Sequence, residues 1–118
     1  ASVEGVILNS GEPVPSGWVE FQPADGAVGD IRSARIESDG SFHVDRVAIG
    51  RNVVRLVDLP GLPPGAASVL AITPPIRRTI PSAPGGPIRI DVIEELIRFQ
   101  NAKAPGSPAD SRAGEGRP

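Results

Sequence analysis

The chain contains no cysteine, no methionine and no tyrosine, and only one tryptophan and one histidine in 118 residues. Without cysteine there is no disulfide, no thiolate ligand and no nucleophilic thiol. A lone His43 leaves a zinc-type site without its usual donors. Lysine is nearly missing too: Lys103 stands alone, and every other basic residue is arginine. With a formal net charge of −2 and no basic stripe, the chain has no footprint for a nucleic-acid partner. Aromatic material is limited to Trp18, Phe21, Phe42 and Phe99, so the core must be aliphatic. The start at "ASVEG" lacks methionine; initiator removal, signal-peptide cleavage or the cut end of a fragment would each leave it.

Glycine and proline are plentiful, fourteen of each. Together they make up about a quarter of the chain, close to the share at which low-complexity disorder sets in. The apolar residues are nevertheless grouped and periodic, which predicts a folded part plus loose segments. The longest uncharged run, "LPGLPPGAASVLAITPPI" from Leu59 to Ile76, holds five prolines and two glycines. Such a run cannot satisfy its backbone in lipid, so it is no membrane span. It reads as a loop around one short strand, "SVLAI".

Elsewhere the apolar residues alternate. "SVEGVILN", "WVEFQ", "IRSARIE", "FHVDRV", "NVVRLV", "IRRTI" and "IRIDVI" carry the period of half-buried strands, separated by Gly/Pro clusters. About seven short strands at this spacing predict an all-β sandwich. One segment, "DVIEELIRFQNA", has helical spacing, with Asp91 as a possible N-cap and Glu94 three residues on. The same residues also suit an extension of the last strand. The expected organisation is therefore a β-sandwich over 1–92, a short helix or strand extension over 93–102, and an extended or disordered tail over 103–118. That tail, "KAPGSPADSRAGEGRP", has no large apolar residue to bury.

The stretch "RIESDGSFHV" sets His43 near Glu37 and Asp39. Asp39-Gly40 between two alternating segments is a strong hairpin signal, with positive φ expected at both residues of a type I′ turn. His43 falls on the face opposite Phe42 and Val44. A polar turn is the better account than a metal or acid/base site, since no second His and no Cys stand by.

These residues form a pattern that resembles carboxypeptidase regulatory-like domains. Val3, Gly5, Ile7, Gly11, Pro13, Val14, Pro15, Gly17, Val19 and Phe21 match the family's opening motif. Ala34, Ile36, Asp39, Gly40, Phe42, Val44, Val47, Gly50 and Val54 match its continuation. The match covers residues 3 to about 57, and Asn52 replaces the family's usual aromatic. The resemblance implies a Greek-key, transthyretin-like β-sandwich, an extracytoplasmic setting (periplasm or cell envelope), and an accessory or assembly role without chemistry. Relatives that do carry chemistry use several His residues and a C-terminal Tyr-Arg-Gly-Ser signature, or a core Lys–Asn isopeptide. With one His, no Tyr and its sole Lys in the tail, this chain lacks the residues for either.

No nucleophile elbow, phosphate-cradling Gly loop or dinucleotide fingerprint is present, so no catalytic residue, metal or cofactor is assigned. Function is expected in contacts with other protein subunits of a larger assembly, made through an outward apolar face and the C-terminal Pro/Gly tail laid along the partner. If Ile7 and Val19 point inward, then Val6, Leu8 and Trp18 point outward and form one docking face, and Trp is favoured at interface hot spots. Trp18 covered by the chain's own Pro-rich loop or tail is the competing account. Arg77 and Arg78 suit either an anion contact or a solvated strand end. Together with Phe99 these complete the candidate contact residues. A glycan or cell-envelope polymer is the alternative partner, with Trp18 as its platform.

Overall fold

The structure, a computed structural model, describes residues 1–72, 74–83 and 85–103. In chain order the elements are β1 (Val3–Asn9), β2 (Glu12–Pro13), β3 (Trp18–Pro23), β4 (Arg32–Arg35), β5 (Ser41–Val44), β6 (Gly50–Val57), α1 (Pro64–Ile72), β7 (Ile76–Ile80), β8 (Ile88–Asp91) and α2 (Val92–Lys103). The eight strands form two four-stranded sheets. In the first, β1 pairs antiparallel with β2 and β5 and parallel with β8. In the second the order is β4-β3-β6-β7, antiparallel throughout.

The alternation read from the sequence decides which side of each strand is buried. Ile7, Val19, Phe21, Val54, Ile76 and Ile90 are all 0% exposed and share one core with Phe42, Val44 and Leu56. Each side chain of this size contributes about 1.5–3 kcal/mol when removed from water. Phe21 and Phe42 bring the two sheets together, with ring centroids 6.1 Å apart at 41°. Gly5 admits the parallel strand β8: a Cβ there would stand 2.1 Å from the Ile88 carbonyl oxygen.

The body is mostly β, where an all-β chain was expected, because two segments fold as helices. "SVLAI" belongs to α1 instead of forming a strand. A short apolar run does not by its period separate a buried strand from a buried helix. Pro64 opens the helix at a position where its missing N–H costs nothing, Pro74 and Pro75 follow beyond its end, and Leu70 is fully buried. "IRIDVI" divides at Asp91, and residues 93–102 take the helical alternative within α2. Val92, Glu95 and Leu96 face the body at helical spacing. Residues 104–118, most of the expected tail, lie outside the described residues.

The two turns exchange roles relative to expectation. Ser10 (φ 52) and Gly11 (φ 85) form the two-residue turn that joins β1 to β2, both with left-handed backbone. At Glu37–Gly40 only Gly40 (φ 85) is left-handed, and the Gly40 N–H donates to the Glu37 carbonyl at 2.8 Å. That turn is not a hairpin, since β4 lies in one sheet and β5 in the other. Asp39 acts as expected of a turn residue, its Oδ1 accepting from the Ser41 N–H at 3.0 Å and hydroxyl at 2.6 Å.

Candidate functional site

Val6 and Leu8 do not share a face with Trp18. Both lie half-buried on the outer side of the first sheet, Val6 across from Ser41 and Arg89, Leu8 across from Pro13 and Asp91. Trp18 lies on the outer side of the second sheet. Period-2 alternation tells which way a residue points from its own strand but not which sheet that strand joins. Arg77 and Arg78 likewise separate. Arg77 is exposed on the outer face, whereas Arg78 falls in register with the fully buried Asn52. Phe99 is half-buried, one helical turn beyond Glu95 and Leu96.

Arg78 reaches α2, where its Nη2 lies 3.1 Å from Oε2 of the buried Glu95, and Arg98 closes on the same carboxylate at 3.0 Å. It also donates to the Arg77 carbonyl at 3.0 Å. The Arg51 carbonyl accepts from Ala24 on the β3 side, so alternation turns the Arg77 backbone toward the free edge of β7. Arg78 is thus an inward charge that covers part of an open strand edge, a known guard against edge-to-edge pairing. Asn52 donates to the Ala48 and Gly50 carbonyls at 2.9 and 3.1 Å, while its buried Oδ1 has no partner among the described residues.

Asp91 joins three segments. Its carboxylate accepts from the Ser10 N–H at 3.2 Å, Gly11 N–H at 2.8 Å, Ile93 N–H at 3.1 Å and Glu94 N–H at 3.4 Å. Burial alone would raise its pKa, but the N–H groups of Gly11 and Ser10, then Glu94 and Ile93, bring the carboxyl below its ordinary value. The N-cap was legible in the sequence; the grip on the β1–β2 turn was not, because nothing local links positions 81 residues apart.

His43 points outward, as expected, and its Nε2 lies 2.8 Å from Asp45 Oδ1. The same oxygen accepts from the Ser2 hydroxyl at 3.0 Å. The carboxylate therefore stands between serine and imidazole, whereas a serine nucleophile needs the imidazole in the middle. The His43 contact, followed by Ser2, holds the Asp45 carboxyl below its usual value. Among the described residues no group of three or more His, Cys, Asp or Glu side chains could hold a metal, and no helix is long and apolar enough to cross a membrane.

Two further surfaces bear on contact with a partner. At one end of the molecule, the β3–β4 and β5–β6 loops carry Val28 (88% exposed), Ile31 (58%) and Ile49 (52%). These loops touch: a Cβ on Gly29 would stand 3.0 Å from the Ala48 Cβ, and one on Gly50 3.3 Å from the Ala27 Cβ. Arg51 adds an ion pair to Asp25 at 3.7 Å, and Arg32 donates to the Asp45 carbonyl at 3.1 Å. Sequence reading passed over this patch, although large aliphatics inside "DGAVGDI" and "AIGR" were its signal. At the opposite end Trp18, 41% exposed, lines a shallow cleft of about 290 Å³ with Ser16, Gly17, Arg35 and Asp58. Arg35, its cross-strand neighbour, places its guanidinium 5.4 Å from the indole centroid. Comparison of the chain with protein-family models, with curated proteins and with solved structures gives no match.

Proposed function

We propose that this chain is a non-catalytic accessory or structural subunit of a larger extracytoplasmic protein assembly, built on a transthyretin-like Greek-key sandwich. Non-consecutive neighbours in both sheets, β1 with β5 and β8 and β3 with β6, support that topology. The periplasmic or cell-envelope setting follows from the resemblance to carboxypeptidase regulatory-like domains.

One observation carries the docking role. Val28, Ile31 and Ile49 are exposed on two loops that are already locked against each other. Large aliphatics on a rigid loop end gain by being covered, and the loops lose little freedom when that happens. The loop end replaces the Val6/Leu8/Trp18 face as the principal contact.

Gentle native isolation of the wild-type chain and of a Val28→Ser/Ile31→Ser/Ile49→Ser variant tests this reading. The wild type is expected in a complex larger than the chain itself, crosslinked to its neighbour through the loop end. The variant should run free while keeping its far-UV circular dichroism. A wild-type chain recovered free would overturn the reading.

A further inference from the structure

β1 is the central strand of its sheet, yet one of its two sides is covered for only part of its length. Ala1 and Val47 exchange backbone hydrogen bonds at 2.9 and 2.8 Å, and the Ile7 N–H donates to the Gly40 carbonyl at 2.8 Å. Odd-numbered residues of this run therefore turn their N–H and C=O groups toward β5, and even-numbered residues turn theirs the opposite way. On that opposite side β8 lies in register with Gly5 to Leu8 and reaches no further. The Ser2 N–H and C=O and the Glu4 N–H are left over, without a hydrogen-bond partner among the described residues. This is a gap beside a central strand, unlike the ordinary outer edges of β4 or β7.

The gap opens into a groove of about 500 Å³ between residues 1–4 and the end of β7 with the loop that follows it. Val3, Ile80 and Ile88 give the groove an apolar lining. Glu4 is its only charged side chain among the described residues; it is exposed and has no ion pair, since its cross-strand neighbour His43 turns to Asp45. The groove also adjoins the exposed loop patch: Ala1 is bonded to Val47 and Ile80 lies opposite Gly50, on either side of Ile49 in the chain.

We propose that this groove takes an extended strand of the partner subunit, an inference that rests on the docking reading above for the partner's existence. Free donors and acceptors spaced along one strand are matched by another backbone, which supplies both kinds of group in the same spacing. Alternate residues of the added strand face the core side of the sheet, where Val3 and Ile80 call for apolar side chains. The residue between them stands on the outer side with Glu4, which favours lysine or arginine there.

NMR titration of the full chain with blocked peptides acetyl-Thr-X-Lys-X-Thr-amide, where X is Val, Ile, Leu or Phe, tests this. In the free chain the Glu4 amide should exchange readily with solvent while those of Gly5 and Ile7 are protected. At least one peptide should bind saturably and slow exchange at Glu4 by about tenfold or more, as a new ladder bond requires. Glutamate in place of the peptide's lysine should weaken binding by about threefold, and Glu4→Gln should erase that difference. The Val28→Ser/Ile31→Ser/Ile49→Ser variant should bind the peptide as the wild type does, so failure of the docking reading and failure of this one are separately visible. Binding by none of the four peptides at millimolar concentration would overturn the proposal. So would a Glu4 amide already protected in the free chain. Protection that grows with protein concentration would assign the groove to a second copy, and protection independent of concentration to the chain itself.

Discussion

The two ends of this molecule treat their side chains in opposite ways. Around Asp91, buried charge is tied down completely: four backbone N–H groups converge on one carboxylate, and Glu95 sits between Arg78 and Arg98 a turn further on. At the β3–β4 and β5–β6 loops, three aliphatics stand in water on a scaffold of closely packed glycine and alanine. Polar groups removed from solvent must find partners, so the first end reads as architecture. Apolar groups left in solvent next to a rigid base read as a contact surface. The comparison can be broken by substitutions that should unfold one end and leave the other unchanged.

The largest effect is expected at Asp91. Asp91→Ala removes the cap of α2 and strands the Ser10 and Gly11 N–H groups, at a cost of about 3 kcal/mol in all. Denaturant unfolding should show this as a lower midpoint, and hydrogen exchange should show the β1–β2 turn and the first turn of α2 opening together. If Asp91→Ala opened only α2, the carboxylate would be an ordinary cap and not the joint between turn and helix.

Arg78→Ala should follow, at about 2 kcal/mol. Its loss leaves Glu95 with Arg98 alone, and the partial exposure of Arg78, 26% of its side chain, softens the several-kcal/mol penalty of breaking a fully buried pair. The variant also uncovers the Arg77 carbonyl on the β7 edge. Size-exclusion chromatography at rising concentration should therefore show association that the wild type does not. A monomeric Arg78→Ala at all concentrations would remove the edge-guarding role and leave only the ion pair.

A smaller effect concerns acid. The folded Asp91 carboxyl lies below its ordinary value of 3.8, so its stabilisation is complete above about pH 5 and declines as pH falls toward the folded pKa. Burial would raise Glu20, but Gln22 and Arg55 bring it below its ordinary 4.5, and it adds to the same acid-side decline. Melting temperature should drop below about pH 5 in the wild type and drop less steeply in Asp91→Asn. Parallel curves for the two proteins would show that the carboxylate carries no share of the acid response.

How much of this was legible follows from where each signal resides. Alternation located β1, β3, β4, β5, β6, β7 and β8 and their inward sides, because a strand's inward set is written every second residue. The Asp91 cap was visible since an N-cap and its helix are adjacent in sequence. Local pattern does not carry sheet membership, and this one gap produced two errors: Val6, Leu8 and Trp18 placed on one face, and Asp39-Gly40 read as a hairpin. The real left-handed turn at Ser10-Gly11 was hidden because serine is a weak cue for positive φ, and here the distant Asp91 holds both N–H groups of the turn. Of the candidate contact residues, Trp18 kept an exposed ring, Arg77 an exposed side chain, and Arg78 turned inward to structural duty.

The smallest effect on stability, and the sharpest test of the comparison, belongs to the loop end. Val28 at 88% exposure buries almost nothing, and Ile31 and Ile49 keep more than half their surface in water. Serine at any of the three should shift stability by no more than about 0.5 kcal/mol, the usual range for surface positions. A small gain for Val28→Ser would fit as well, since an exposed valine contributes nothing to the fold. The lock beneath them should behave otherwise: Gly29→Val sets a branched side chain where even a Cβ comes within 3.0 Å of the Ala48 Cβ, so the two loops must part. Equilibrium unfolding of the four variants separates the cases. Serine variants as damaging as Gly29→Val would mean that the aliphatics hold the loops together, and the exposed patch would then be architecture like the Asp91 end.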